Sequence, residues 1–157
     1  MGGTSYTGKA GHLAVMGELA LRGYNVAMPE IDIGDDLFVV NDTTGAMWRV
    51  QVKTSLVRRH QKTSTQYSFR VKASAISKCA TPDLHFVFVM RASDRWRFLV
   101  VSRQVLQNYV RASKMGTSTP NGDYRQFTII LRHTGETDCS GVTLTHHLGD
   151  WATWPQL

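Results

Sequence analysis

The segment Asp36–Thr54 constrains the chain most. Trp48, Val50 and Val52 are apolar, whereas Arg49, Gln51 and Lys53 between them are polar. Side chains alternate faces along a strand, so this pattern specifies a β-strand with one apolar and one polar face. Asp36–Asn41 repeats the split, with Leu37 and Val39 on its apolar face, and Asp42-Thr43-Thr44-Gly45 has the composition of a turn. The two runs predict a β-hairpin. If those four turn residues form the loop, Asn41 faces Ala46, Val40 faces Met47, Phe38 faces Arg49 and Asp36 faces Gln51. Opposed residues share a face, so Asp36, Gln51 and Lys53 converge at the open end of the hairpin. Asp35 falls on the other face, and a slip of one residue would exchange the two aspartates.

Around the hairpin the pattern alternates between helix and strand. Residues 9–23 carry Leu13, Val15, Met16, Leu19 and Leu21, with Gly23 at a helix stop. Apolar residues cover most of this helix, so it is expected to be buried on most sides, with a narrow polar edge at Glu18 and Arg22. A short strand is expected over 24–28, an exposed loop over 54–68, a strand over 67–72 and a short helix over 73–79. Residues 84–91 and 95–101 read as a second hairpin. A helix capped by Ser102 should run to Met115, stopped by Gly116, with Val105, Leu106, Tyr109 and Val110 on its apolar face. A last strand is expected over 124–132. The tail shows no assignable pattern; Trp151 and Trp154 are expected to pin it to the body, and His146 and His147 to serve as surface or packing residues. The result is one mixed α/β domain spanning 1–157.

Bulk properties limit the function classes. The chain has 157 residues, 42% of them hydrophobic, which suits one domain with its own core. The apolar runs are too short to span a bilayer and the N-terminus has no secretory pattern. Cys79 and Cys139 lie far apart, which disfavours a zinc site or a disulfide framework and suits a reducing cytoplasm. Lys and Arg number 18 against 12 acids, a net charge of +6 that suits a polyanionic partner such as DNA.

A carboxylate, an amide oxygen and an ammonium on one β-surface suit metal-assisted phosphodiester hydrolysis. Asp36 and the carbonyl of Val52 can supply hard oxygens to Mg²⁺, which keeps part of its water shell. The ion would make a bound water more acidic and neutralise charge on the scissile phosphate. Lys53 can orient that water and stabilise the transition state. Gln51 is neutral, so a further carboxylate is wanted, and Glu18 on the helix edge is the best placed. Glu18 and Arg22 are also spaced for an ordinary i,i+4 ion pair, and Gln51 and Lys53 could be a solvated strand face.

These residues resemble the PD-(D/E)xK nuclease superfamily, the fold of many restriction enzymes, Holliday-junction resolvases and some homing endonucleases. The resemblance spans about residues 9–90, leaving 91–157 as a C-terminal elaboration. It rests on Gly17-Glu18, on Gly34-Asp35-Asp36-Leu37-Phe38-Val39-Val40 and on Arg49-Val50-Gln51-Val52-Lys53-Thr54. It implies a restriction endonuclease-like α-β-β-β-α-β core, with Asp36 as the metal aspartate, Lys53 as the lysine and Glu18 as the helix glutamate. Gln51 stands where the usual acid does, as in the subset that carries Gln-x-Lys. No proline directly precedes Asp36; Pro29 lies earlier.

The implied activity is DNA cleavage with Mg²⁺, or Mn²⁺ as its substitute. Arg58, Arg59 and Lys62, just after Lys53, are expected at the DNA backbone. Glu30, Asp32 and Asp35 read as a solvated acidic loop in which one member could assist a second metal. His12 reads as a packed helix histidine. Cutting both strands would favour a homodimer or higher homo-oligomer. The alternatives are a catalytically inactive DNA-binding module on the same fold and an interaction protein unrelated to nucleic acid.

Overall fold

The computed structural model describes residues 3–31, 34, 36–92, 94–149, 151 and 154–155. Helix α1 (Gly3–Leu21) leads into β1 (Asn25–Ala27), β2 (Leu37–Val40) and β3 (Met47–Leu56). Next come β4 (Arg59–His60), β5 (Ser64–Lys72), α2 (Ala73–Ser77), β6 (Leu84–Arg91) and β7 (Trp96–Ser102). The chain continues through α3 (Arg103–Ser113), β8 (Thr117–Ser118), β9 (Tyr124–Arg132), β10 (Thr137–Cys139), β11 (Val142–Thr143) and a 3-10 turn at Thr145–His147.

The strands form two sheets rather than one. The first has the order β1-β2-β3-β6-β7, and its β3–β6 pair is parallel. A parallel pair needs a long crossover, and here the chain from Val57 to Asp83 supplies it with β4, β5 and α2. The second sheet, β11-β10-β9-β5-β4 with β8 on β9, is antiparallel throughout. The expected α-β-β-β-α-β order is present in α1, β1, β2, β3, α2 and β6, with the β4–β5 pair inserted before α2.

The first sheet is covered on both faces. On one side Val15 and Leu19 of α1 pack with Leu37, Val39, Val50, Val52, Val87 and Val89. On the other, Phe86, Phe88 and Met90 of β6 join Tyr67 and Phe69 of β5, Phe127 and Ile129 of β9, and Leu106 of α3. Each such side chain contributes about 1.5–3 kcal/mol on burial. Double coverage explains why β6 reads as a near-continuous apolar run. Buried Trp151 and Trp154 close the α1 side, as the sequence suggests.

Three expectations need correction. Helix α1 begins at Gly3, ahead of the apolar repeat, and is not buried on most sides: Tyr6, Leu13 and Leu21 are 80%, 55% and 84% exposed. Only one sheet face is available to it, so only one stripe can be covered. It approaches β3 closely at Gly11, where a Cβ would lie 1.9 Å from Thr54 Oγ1. The second correction concerns 54–68, which is not a loop: β3 runs on to Leu56, and β4 pairs with β5. Its serines and threonines are compatible with a strand, and Ser64 and Thr65 are buried. The third lies in the tail, where β10 and β11 are too short to show a period.

Candidate active site at the open end of the β2–β3 hairpin

The hairpin register is the one its turn dictates. Phe38 faces Arg49 and Val40 faces Met47, while the Asn41 amide bonds Ala46 O at 2.9 Å. Asp36 departs from the expected pairing with Gln51. Its amide bonds Val50 O at 3.0 Å, although Leu37 is already the partner of Val50. Two residues thus address one, as in a β-bulge, which re-aims the first side chain. The Asp36 carboxylate turns to the edge of β3 that β2 has just vacated, and its Oδ2 accepts the Val52 amide at 2.7 Å. The N–H and C=O of one strand residue point to the same side, so the Val52 carbonyl faces this same edge.

Gln51 is held from the neighbouring position. Its Nε2 donates to Gly34 O at 2.7 Å, tying the approach to Asp36 onto β3. The side chain is only 5% exposed, and its Oε1 is buried with no partner among the described residues. An orphaned buried acceptor is costly, and a cation or a bound water would satisfy it. Lys53 follows on the same face, half-buried. Among the described residues its ammonium has no hydrogen-bond or ion-pair partner.

His12 is the residue that the sequence reading missed. Its Nε2 lies 3.6 Å from Asp36 Oδ1, with both side chains largely sheltered. The available signal was its place at i, i+3, i+7 with Val15 and Leu19, the stripe by which α1 covers β3. Glu18, the expected further ligand, takes the ordinary alternative. It pairs with Arg22 Nη1 at 2.6 Å and lies about 9 Å of helix rise beyond His12. No group of three His, Cys, Asp or Glu side chains that could hold a metal occurs among the described residues. Asp32 and Asp35 lie outside the described residues; Glu30 is exposed.

The residues named for DNA contact are placed differently. Arg58, Arg59 and Lys62 are all exposed. They belong to β4 and its flanks, at the edge of the second sheet. Arg58 is about 16 Å of extended chain beyond Lys53. Both cysteines are free, Cys79 exposed and Cys139 buried. No helix among the described residues is long and apolar enough to cross a membrane.

The donor set can be tested against a hard cation. Asp36 Oδ1, the orphaned Gln51 Oε1 and the Val52 carbonyl are all oxygens, and Mg²⁺ is commonly held by one or two carboxylates, waters and substrate phosphate. The residues present fit such an ion. They do not fit zinc, which takes nitrogen and sulfur donors in a closed tetrahedron.

No family model and no curated protein matches this chain. Among solved structures it is similar to a bacterial homing endonuclease, I-Ssp6803I. The two are 24% identical with a TM-score of 0.49, and the likeness covers 67% of this chain and 69% of that one. A likeness of that size carries no residue roles across.

Proposed function

We propose that this chain is a Mg²⁺-dependent endonuclease that hydrolyses DNA phosphodiester bonds at the open end of the β2–β3 hairpin, with Mn²⁺ as a substitute. The observation that carries the reading is the buried Oε1 of Gln51, without a partner among the described residues, on the strand face that Gln51 shares with Lys53 and one residue before the Val52 amide that binds Asp36. When bound, the cation acidifies a water and neutralises charge on the scissile phosphate. Asp36 keeps one oxygen on the Val52 amide, so the other is held in place. Gln51 is fixed through Gly34, which leaves its carbonyl oxygen as an acceptor aimed by the fold. Lys53 donates to the attacking water and to the phosphate oxygens as charge builds up on them. His12 orients the carboxylate from the helix side. Glu18 joins this site only by giving up Arg22. One chain carries one such site, so cleavage of both strands calls for a symmetric homodimer.

Asp36→Asn tests the assignment. The amide oxygen can still accept from Val52, so the fold should survive with a thermal midpoint within a few degrees of wild type. Mg²⁺-dependent DNA cleavage should be lost, and calorimetry should show metal binding lost with it. Undiminished cleavage by Asp36→Asn would refute the site. A second reading is favoured by Gln51 in the usual acid's place and by the lack of three grouped ligands among the described residues. It makes the chain a DNA-binding module without catalysis, and predicts salt-sensitive DNA retention with no cleavage at any metal concentration.

A further inference from the structure

The second sheet turns one face to the core and the other to solvent. Along β5, Tyr67, Phe69 and Val71 are buried, so Gln66, Ser68, Arg70 and Lys72 form its outer row. The register sets Ser68 opposite Thr128 and Arg70 opposite Gln126 on β9, and opposed residues share a face. Arg70, Gln126 and Thr128 are exposed. On β4, Arg59 faces Gln66 and extends the same surface to the sheet edge.

The outer row starts at the candidate site. Lys72, its last member, lines a groove of about 370 Å³ together with Gly34 and Gln51. The Ser68 amide donates to Ser55 Oγ at 3.1 Å, two residues beyond Lys53, which ties β5 to the strand that carries the site. From Lys72 to Gln66 the row runs about 20 Å, the rise of about six base pairs of duplex. Water alone asks the outer face of a sheet to be polar. It does not ask a row of side chains to lead out of the site, nor does it ask for these side chains in particular.

Arginine reads guanine and glutamine reads adenine through paired hydrogen bonds, and Ser and Thr bond several bases. Two of these groups are braced. The Arg70 guanidinium lies over the Tyr124 ring, 4.0 Å from its centroid; stacking occupies its faces and leaves the N–H fork at its edge. Gln126 Nε2 donates to Ser68 Oγ at 3.0 Å, which holds the amide across the strand pair. A groove of about 380 Å³ beside them is lined by Gln126, Thr128, Ser118 and Ser140 among others. The major groove admits a two-stranded ribbon, and β5 and β9, nine residues each, are the long pair of this sheet.

We infer that the outer face of the β5–β9 pair reads base pairs in the major groove of duplex DNA next to the cleaved phosphate. Arg70, Gln126 and Gln66 are its base contacts, and Arg59 meets a phosphate at the rim. The inference rests on the nuclease reading of the neighbouring site and gives it a sequence preference.

The test is selection from a library of random DNA duplexes in EDTA, so that cleavage plays no part. Wild type should enrich a motif, and the cut mapped afterwards with Mg²⁺ should fall within about six base pairs of it. Arg70→Ala/Gln126→Ala should bind the selected duplex more weakly by about tenfold or more, with its affinity for unselected duplex near that of wild type. A second readout needs no variant: guanine N7 lies in the major groove, so methylating it within the motif should exclude those duplexes from the wild-type complex. Undiminished binding of the selected duplex by the variant would overturn the sheet reading and leave the nuclease reading standing. So would wild-type binding that ignores N7 methylation, or that enriches no sequence. Wild-type protein that binds no duplex would overturn both.

Discussion

Asp36 meets two demands at once, because one carboxylate oxygen caps the Val52 amide while the other stays at the vacated edge beside His12. The imidazole lies 3.6 Å from the second oxygen without displacing the first, and on the proposed reading it acts as a positioning residue. His12→Ala should therefore raise the Mg²⁺ concentration for half-maximal cleavage by about tenfold, the lower end of what outer-shell partners contribute. The rate at saturating Mg²⁺ should change little, and His12→Gln should recover part of the affinity. A Mg²⁺ titration of cleavage separates this from a purely structural role, which would lower the saturated rate as well. The shared face of Gln51 and Lys53 was legible in the sequence because strand alternation leaves little freedom there, whereas the expected pairing of Asp36 with Gln51 gives way to the bulge at Val50. His12 was not legible, since its role depends on where the helix crosses β3. Glu18 carried two consistent readings, and its neighbour Arg22 is the partner in the structure.

Among the elements, α1 and α3 each make one contact that mutation can isolate. Helix α1 approaches β3 closely because residue 11 is glycine: an added Cβ would stand 1.9 Å from Thr54 Oγ1 and 2.9 Å from Thr54 Cβ. Helix propensity alone favours Gly11→Ala by up to about 1 kcal/mol. The clash should outweigh this and destabilise the protein by about 1–3 kcal/mol, read as a lowered urea midpoint, and adding Thr54→Ala should recover part of the loss. A Gly11→Ala protein as stable as wild type would contradict the packing. Helix α3 begins at buried Arg103, whose guanidinium bonds both oxygens of Asp83, at 2.6 and 2.9 Å. Burial raises the Asp83 carboxyl, but its bonds to Arg103 and to the Leu84 amide outweigh this and hold it below its ordinary range. A lowered folded value stabilises the protein above the unfolded value of about 3.9, and the contribution is lost as pH falls through the folded value. Asp83→Asn should cost about 2 kcal/mol at neutral pH, at the low side for such pairs because Asp83 is 38% exposed. It should also flatten the fall in stability below about pH 4. Strands β6 and β9 were legible to the residue because their apolar runs are long and bounded by turns. Strands β4, β10 and β11 span at most three residues each and leave no periodic signal.

At the scale of the whole molecule, the second sheet is what sequence reading left out. Its strands were mostly foreseen, but pairing between β5 and β9 joins residues 64–72 to 124–132, a separation that no local pattern reports. That sheet shields the far face of the first, so the β2–β3 edge stands at the rim of a core rather than on an exposed ribbon. On the function proposed above, this rim takes a nucleic acid strand past a cation site. The most direct test of that account is nicking of supercoiled plasmid with and without Mg²⁺, with wild type beside Lys53→Ala. Lys53 is half-buried and unpaired among the described residues, so its removal should spare the fold. Wild type should nick only with Mg²⁺, and Lys53→Ala should be slower by about a hundredfold or more. Nicking by Lys53→Ala at the wild-type rate, or nicking by wild type that persists in EDTA, would contradict it.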